Sequence, residues 1–226
     1  MTARQLNIAF VLFPNVTQLD FTGPLQFLSR IPGAAIHLVA DNLAPVSADT
    51  VLTLNPTATF DNYPLVDVLV IPGGFGVDDA MNNEALMAFV KREAARAEYV
   101  TSVCTGAFIL GAAGLLRGKK ATTHWAYHEE LRRIGATPVR ERVVRDGNIF
   151  TGGGVTAGID FALTLTAELA GGDIAREIQL GLEYDPSPPF SSGSPEKVEC
   201  EVRKSVSSRY ELRLAAFRNA LDRALT

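Results

Sequence analysis

The sequence is poor in the residues that bind metals and form disulfides. It has 2 cysteines and 3 histidines among its 226 residues. Cysteine and histidine supply most zinc ligands, so we expect no protein-held metal. Cys104 lies in an apolar run and Cys200 lies in Glu-Cys-Glu. A disulfide between such unlike positions is unsupported, and a reducing cytoplasm is the simpler interpretation.

The sequence also lacks a long apolar run and an excess of basic charge. No run approaches the ~18 apolar residues that span a bilayer, and the N-terminal residues show no signal-peptide core. The formal net charge is −4, which gives no electrostatic footprint for nucleic acid or anionic membranes. We therefore expect a cytoplasmic protein with neither nucleic acid nor a membrane as partner.

The sequence does contain strand patterns that alternate with helix patterns. Apolar runs predict buried strands over residues 8–13, 36–40, 66–71 and 99–103, and amphipathic or apolar periodicity predicts helices over 83–97, 156–170 and 173–182. Pro24 suits the first position of a helix over 22–29. This order predicts an α/β three-layer sandwich, a mostly parallel central sheet with helices on both faces in a flavodoxin-like arrangement.

The last part of the chain differs in character. Residues 184–195 are rich in proline and serine and predict an extended loop. Residues 196–226 predict a mostly polar helix that needs a surface to pack on. That surface belongs either to the same subunit or to a partner. We therefore divide the chain into an α/β domain over residues 1–195 and a helical extension over 196–226.

Cys104 is the most informative residue. It stands between a β-branched strand, 99–103, and a helix pattern, 105–113, with Thr105, Gly106 and Ala107 as the small residues that a sharp turn requires. A sulfur over the first turn of a helix faces unpaired amides that favour the thiolate. This arrangement predicts a nucleophile elbow, whereas a cysteine in an apolar run alone is more often inert.

Other candidate groups follow other strands. Ligand sites in such sheets lie beyond the carboxyl ends of the strands, where Asp20 and Gly74 are expected. A carboxyl buried there has a raised pKa, and beside a thiolate the two groups share one proton; alternatively, Asp20 only caps a turn. Amides of Gly74 and Thr105 are candidate donors to a substrate. For His124, a structural role beside Trp125 is favoured over a place in the site.

Several motifs resemble the ThiJ/PfpI superfamily, which has the class I glutamine amidotransferase-like fold. They are Ile71-Pro72-Gly73-Gly74, Ser102-Val103-Cys104-Thr105-Gly106-Ala107, Gly111-Ala112-Ala113-Gly114-Leu115-Leu116, Ala121-Thr122-Thr123-His124-Trp125 and the run from Thr151 to Asp160. The likeness covers residues 8 to about 195. Within the superfamily, the run from Phe13 to Pro24 is most similar to that of the isocyanide hydratases.

The resemblance implies an activity and a set of site residues. Cys104 matches the nucleophile and Asp20 its acidic partner; Thr105 matches a neighbour of the sulfur, and Val155 an apolar residue whose carbonyl approaches the cysteine. It implies a homodimer without a cofactor that hydrates an isocyanide. Protease-like members carry His after the cysteine, where this chain has Thr105, and deglycase-type members carry Glu in place of Asp20. Both departures favour the hydratase branch.

Two other functions remain open from the sequence. The Cys104 and His124 motifs are also similar to the ligand-sensing domain of AraC-type regulators, although residues 196–226 are too few for the DNA-binding unit of those proteins. A redox or stress-response role, with Cys104 oxidised to a sulfinate, is the other alternative.

Overall fold

The computed structural model describes residues 5–226. Its centre is a seven-stranded sheet whose order is β10-β11-β7-β6-β1-β2-β5. These strands are β1 Leu6–Val11, β2 Ala34–Ala40, β5 Ala58–Thr59, β6 Val68–Ile71, β7 Tyr99–Val103, β10 Val143–Asp146 and β11 Ile149–Gly152; the pairs β3 Val46–Ser47 with β4 Thr53–Leu54, and β8 Lys120–Ala121 with β9 Thr137–Pro138, are separate. All pairings in the large sheet are parallel except that of β10 with β11.

Helices connect and cover these strands. They are α1 Gln18–Leu28, α2 Val77–Ala80, α3 Glu84–Ala94, α4 Gly106–Ala112, α5 Ala157–Ala170, α6 Gly172–Gly181 and α7 Cys200–Ala224, with a 3₁₀ helix at Trp125–Ile134. The chain moves from β1 to β2 in one direction and from β6 through β7 to β11 in the other. Right-handed crossovers therefore place α1 on one face and α3 and α4 on the opposite face. The predicted three-layer, flavodoxin-like α/β fold is confirmed.

The strand order fixes where a site can form. The strands that follow β1 and β6 lie on opposite sides of this neighbouring pair, so the direction in which the chain builds the sheet reverses between them. Open α/β sheets bind ligands at such a switch point. Ile71 of β6 is in register with Ser102 of β7, and Val103 is in register with Gly152 of β11. The segments that follow these three strands therefore leave the sheet side by side, and they carry Gly73, Cys104 and Val155.

The start of α1 differs from the sequence prediction. The helix begins at Gln18 rather than Thr22, and Pro24 lies inside it, so the prediction of Pro24 at the first helical position is wrong. The proline ring packs against α5 at Gly158, where an added Cβ would be 3.2 Å from Pro24 Cδ. Tertiary packing thus tolerates a proline whose missing amide would otherwise break the helix. As a result, Asp20 lies in the first turn of α1.

Helix α7 packs on its own chain. Its buried residues are Phe217, Ala220 and Leu221. The Phe217 ring meets those of Phe108 and Tyr127 edge-on, with centroids 4.8 Å apart in both pairs. Arg218 donates to Glu130 Oε1 at 2.6 and 3.0 Å. The division of the chain near residue 195 remains a proposal.

Candidate active site

Cys104 occupies a strained backbone position between β7 and α4. Its φ is +56°, in the left-handed region that costs a non-glycine residue of order 1–2 kcal/mol. Three hydrogen bonds hold this conformation. Cys104 N donates to the carbonyls of Gly152 and Gly153 at 3.0 and 2.9 Å, and Thr123 Oγ1 donates to the Cys104 carbonyl at 2.7 Å. Local strain that is held so firmly is typical of a functional elbow.

The elbow leaves no room for side chains on its neighbours. A Cβ at Gly106 would lie 2.6 Å from the carbonyl oxygen of Pro72 and closer still to that of Ile71. A Cβ at Gly73 would lie 2.7 Å from Thr105 Oγ1 and 2.8 Å from Asp20 Oδ2. The loop after β6 therefore approaches the elbow as closely as two backbones allow.

Asp20 is fully buried beside the Cys104 thiol. Its Oδ2 accepts a hydrogen bond from the Gly73 amide at 2.9 Å, and its carboxyl also hydrogen-bonds the Cys104 side chain. Oδ1 has no N or O partner in the described part of the chain. Thr17, not Asp20, is the N-cap residue of α1, so the structure does not support the capping alternative. Asp20 instead joins α1, the β6 loop and the elbow.

Burial dominates the titration of this pair. Desolvation raises the pKa of Asp20 to about 7, against the smaller lowering effect of its hydrogen bonds to Cys104 and Gly73. Burial, and next the charge of Asp20, raise the pKa of the Cys104 thiol well above its usual value. The first turn of the helix thus does not by itself produce a thiolate. With both pKa values raised, one proton is shared by the pair at mildly alkaline pH.

Two backbone amides oppose the effect of burial on the thiol. The amides of Val155 and Thr105 hydrogen-bond the sulfur and lower the pKa of Cys104. Val155 therefore presents its N–H group to the sulfur, whereas the family resemblance implied its carbonyl. Its φ is +26°, a value that non-glycine residues rarely adopt.

Gly74 contacts the side chain of Thr105. Its amide donates to Thr105 Oγ1 at 3.0 Å, and that hydroxyl lies 3.3 Å from the Gly74 carbonyl. The Gly74 amide thus already donates to a side chain, and its role as a donor to the substrate remains a prediction. Gly74 fixes the Thr105 side chain, and its φ of +138° suits glycine alone.

The structure brings His124 to the rim of the site. Its ring packs against the backbone at Gly154, where an added Cβ would lie 2.6 Å from His124 Cδ2. The ring also lies beside Trp125, with centroids 5.6 Å apart. Burial lowers the pKa of His124 to about 4, so the imidazole is neutral at ordinary pH. Its Nε2 lies 3.4 Å from the hydroxyl of Tyr210 on α7.

Sequence reasoning missed three residues near the elbow. Thr123 holds the Cys104 carbonyl, Asp49 adds to the raised pKa of Asp20, and Tyr210 reaches His124 from the C-terminal helix. Thr123 lies in one of the family motifs, which did not show its role, and Tyr210 stood out as an aromatic residue in a mostly polar helix. Residues 5–226 contain no group of His, Cys, Asp and Glu arranged to hold a metal ion.

Access to the sulfur is narrow. Cys104 is 5% exposed. A cavity of about 100 Å³ lies nearby between the start of α7 and Trp125, but neither Cys104 nor Asp20 lines it.

Comparison with known proteins assigns the chain to a family. Residues 6–168 match the DJ-1/PfpI family. The chain belongs to the DJ-1/PfpI family. A ThiJ/PfpI family protein from Pseudomonas syringae has a crystal structure with a TM-score of 0.92 and 43% identity, covering 98% of this chain and 91% of its own. Drosophila melanogaster DJ-1beta, at 22% identity, shares the fold with a TM-score of 0.72, covering 81% of this chain and all of its own.

Two curated relatives differ in how much of their length is matched. The isonitrile hydratase of Pseudomonas putida is 56% identical over 212 residues, which are 92% of this chain and 93% of that protein. The HTH-type transcriptional regulator GbdR of Pseudomonas aeruginosa is 29% identical over 189 residues, which are 79% of this chain and 51% of the regulator. The first likeness covers nearly all of both proteins, and the second about half of the regulator.

Proposed function

We propose that this DJ-1/PfpI protein is an isocyanide hydratase, which adds water to R–N≡C and yields the N-substituted formamide. The observation that carries the proposal is the 56% identity to an isonitrile hydratase across 92% of this chain. The paired Cys104 and Asp20 supply the two groups that this reaction needs, a nucleophile and an acid that shuttles a proton. The mechanism calls for no metal or organic cofactor.

The first half of the reaction forms a covalent adduct. The Cys104 sulfur attacks the terminal isocyanide carbon, and a C–S bond forms. The proton shared by the pair passes from Asp20 to the same carbon, which gives the thioimidate R–N=CH–S-Cys104. Asp20 relays this proton from the thiol, because burial raises the pKa of its carboxyl to about 7 and so makes it a stronger base than an exposed carboxylate. Asp20 ends this half-reaction as a carboxylate.

The second half hydrolyses the adduct. The Asp20 carboxylate takes one proton from a water molecule while the oxygen adds to the thioimidate carbon. The nitrogen gains a proton, the C–S bond breaks with the electron pair returning to sulfur, and the formamide leaves. One water proton restores the proton of the pair, and the other balances the N–H of the product. Asp20 Oδ1, which has no N or O partner within residues 5–226, is available to accept the water proton.

The amides of Thr105 and Val155 support both halves. They hydrogen-bond the sulfur, so they stabilise negative charge on it before attack and again as it leaves. Gly74 contributes indirectly by holding the Thr105 hydroxyl. The reaction thus depends on the side chains of Cys104 and Asp20 and on the backbone amides that hydrogen-bond the sulfur.

The test is hydration of an aryl isocyanide, followed as loss of substrate and gain of formamide. Wild type is expected to be active, and Cys104→Ala should lower kcat/KM by at least about a thousandfold because the nucleophile is lost. Cys200→Ala is the matched control, since this thiol is free and exposed at the start of α7, and it should retain full activity. An inactive wild type, or an active Cys104→Ala variant, contradicts the proposal.

The same assay separates the alternatives. Tight binding of an isocyanide without turnover would favour a ligand-sensing role, such as the likeness to half of GbdR suggests. Peroxide-dependent oxidation confined to Cys104, with no hydratase activity, would favour a redox role.

We further propose a cytoplasmic homodimer. The family resemblance supports the dimer, and two free thiols suit a reducing compartment. Within residues 5–226, no helix has the length and apolar character needed to cross a membrane. Sedimentation equilibrium tests the dimer, and a monomer at micromolar concentration would contradict it.

A further inference from the structure

Helix α7 contributes a tyrosine to the rim of the elbow. The Tyr210 ring lies 5.0 Å from that of His124, 5.5 Å from Trp125 and 6.0 Å from Tyr127, centroid to centroid. These three rings belong to the segment that follows β8, whereas Tyr210 lies beyond the residues 6–168 that match the family. A residue outside the shared domain thus reaches the site that the domain forms.

The hydrogen bonds of His124 fix the direction of its contact with Tyr210. The Ala126 amide donates to His124 Nδ1 at 3.3 Å, so Nδ1 carries no proton. The imidazole is neutral and therefore carries its single proton on Nε2. Nε2 donates to the Tyr210 oxygen at 3.4 Å. The hydroxyl proton of Tyr210 has no acceptor among residues 5–226 and is free to be donated elsewhere.

A short series of contacts links Tyr210 to the reacting sulfur. The His124 ring, its hydrogen-bond partner, packs against Gly154, and the amide of the next residue, Val155, bonds the sulfur. After burial, charge on Cys104 is the other cause that raises the pKa of Tyr210. One aromatic ring and one peptide group therefore separate the phenol from the place where an adduct forms.

The hydrolysis step needs a proton donor that the elbow itself does not supply. The thioimidate nitrogen must gain a proton when water adds to the neighbouring carbon. The amides of Thr105 and Val155 bond the sulfur, and the Gly74 amide bonds Thr105. Asp20 accepts a proton from water in this step, so it cannot at the same moment donate one.

We propose that Tyr210 is a catalytic residue whose hydroxyl donates a proton to the substrate nitrogen during hydrolysis of the Cys104 adduct. This inference rests on the proposed hydratase function. As water adds to carbon, the C=N electron pair moves to nitrogen, which takes the phenol proton. When the C–S bond breaks, the new hydroxyl group loses its proton to the phenolate. Tyr210 is restored, and the sum remains one isocyanide plus one water giving one formamide.

The test is Tyr210→Phe, which keeps the ring and removes the hydroxyl. We expect adduct formation at the wild-type rate and a kcat at least about a hundredfold lower, because general acid catalysis of this kind contributes roughly 10²–10⁴. The thioimidate should then accumulate. Rapid quenching and intact-protein mass measurement would detect it as an increase equal to the mass of the isocyanide, confined to Cys104.

The matched control is Tyr99→Phe. Tyr99 is also a partly buried tyrosine whose hydroxyl is hydrogen-bonded, to Glu168 at 2.9 Å, but it lies at the start of β7, at the opposite end of the strand from Cys104. This variant should turn over like wild type and show no adduct. It measures the cost of removing a tyrosine hydroxyl away from the site.

Two results would overturn the role of Tyr210 while leaving the hydratase function intact. One is wild-type turnover by Tyr210→Phe. The other is slow turnover without an adduct, which would mean that Tyr210 acts before the covalent step or only maintains the site. An inactive wild type would instead remove the proposed function. Equal thermal melting of the variant and wild type ensures that each result reports on chemistry.

Discussion

The elbow and helix α7 contact the same site but are held in place in opposite ways. At the elbow, Gly73 and Gly106 lie so close to neighbouring segments that no Cβ fits. In α7, only Phe217, Ala220 and Leu221 are buried among 25 residues, and ion pairs such as Arg133 with Asp222 lie at its surface. The elbow depends on backbone contacts throughout, whereas α7 depends on one apolar patch.

The largest effect is expected from adding a single methyl group at the elbow. Gly106→Ala places a Cβ 2.6 Å from the Pro72 carbonyl oxygen and nearer to that of Ile71, and backbone atoms cannot rotate away as a side chain does. We expect a loss of more than about 4 kcal/mol in the free energy of unfolding, with no remaining activity. Urea denaturation measures it.

Gly181→Ala is the control for that substitution. Gly181 ends α6, and a Cβ added there would meet no atom within 4 Å. This variant should be as stable as wild type or slightly more stable, because alanine restricts the unfolded chain. If both alanine variants behaved alike, the close packing of the elbow would not govern its stability.

Helix α7 should respond to the loss of one large side chain rather than to the gain of one methyl group. Phe217 is 2% exposed and meets two aromatic rings, so Phe217→Ala should destabilise the protein by about 3–4 kcal/mol. Leu212→Ala, at a residue 85% exposed on the same helix, should change stability by less than about 0.5 kcal/mol. A small effect at Phe217 would show that α7 is held by its ion pairs.

The same contrast explains what the sequence could predict. The elbow follows from local signals: a β-branched strand, Cys104 and then small residues. Its pairing with Asp20 follows from the rule that carboxyl ends of parallel strands converge. The start of α1 could not be predicted, because packing of Pro24 against Gly158 overrides the local preference of proline. Tyr210 was missed because its place depends on how α7 docks.

The raised pKa of Cys104 also could not be predicted from the sequence. The position of the sulfur over the start of a helix favours the thiolate, and this effect could be predicted from the sequence. The degree of burial, which has the larger and opposite effect, depends on the whole fold. Local sequence patterns therefore identify Cys104 and Asp20, whereas burial by distant segments determines their pKa values.

The smallest of the predicted effects is the dependence of stability on pH, which we expect to arise at the buried Asp20 and not in α7. The pKa of Asp20 is about 7 in the folded protein, above its ordinary 3.8, so between these values the folded state binds more protons than the unfolded chain. Stability therefore falls as pH rises from about 4 to 7, by on the order of 3 kcal/mol from this group. The exposed ion pairs of α7 should add little to this slope.

Asp20→Asn removes that titration. The difference in unfolding free energy between variant and wild type, from urea denaturation across mildly acidic to neutral pH, should grow in favour of the variant as pH rises. Asp173→Asn, which alters a carboxylate 89% exposed at the start of α6, should parallel wild type across the same range. A pH-independent difference for Asp20→Asn would mean that the buried carboxyl is already ionised at the acidic end of that range. The proton that the proposed reaction transfers to carbon would then have to come from another group.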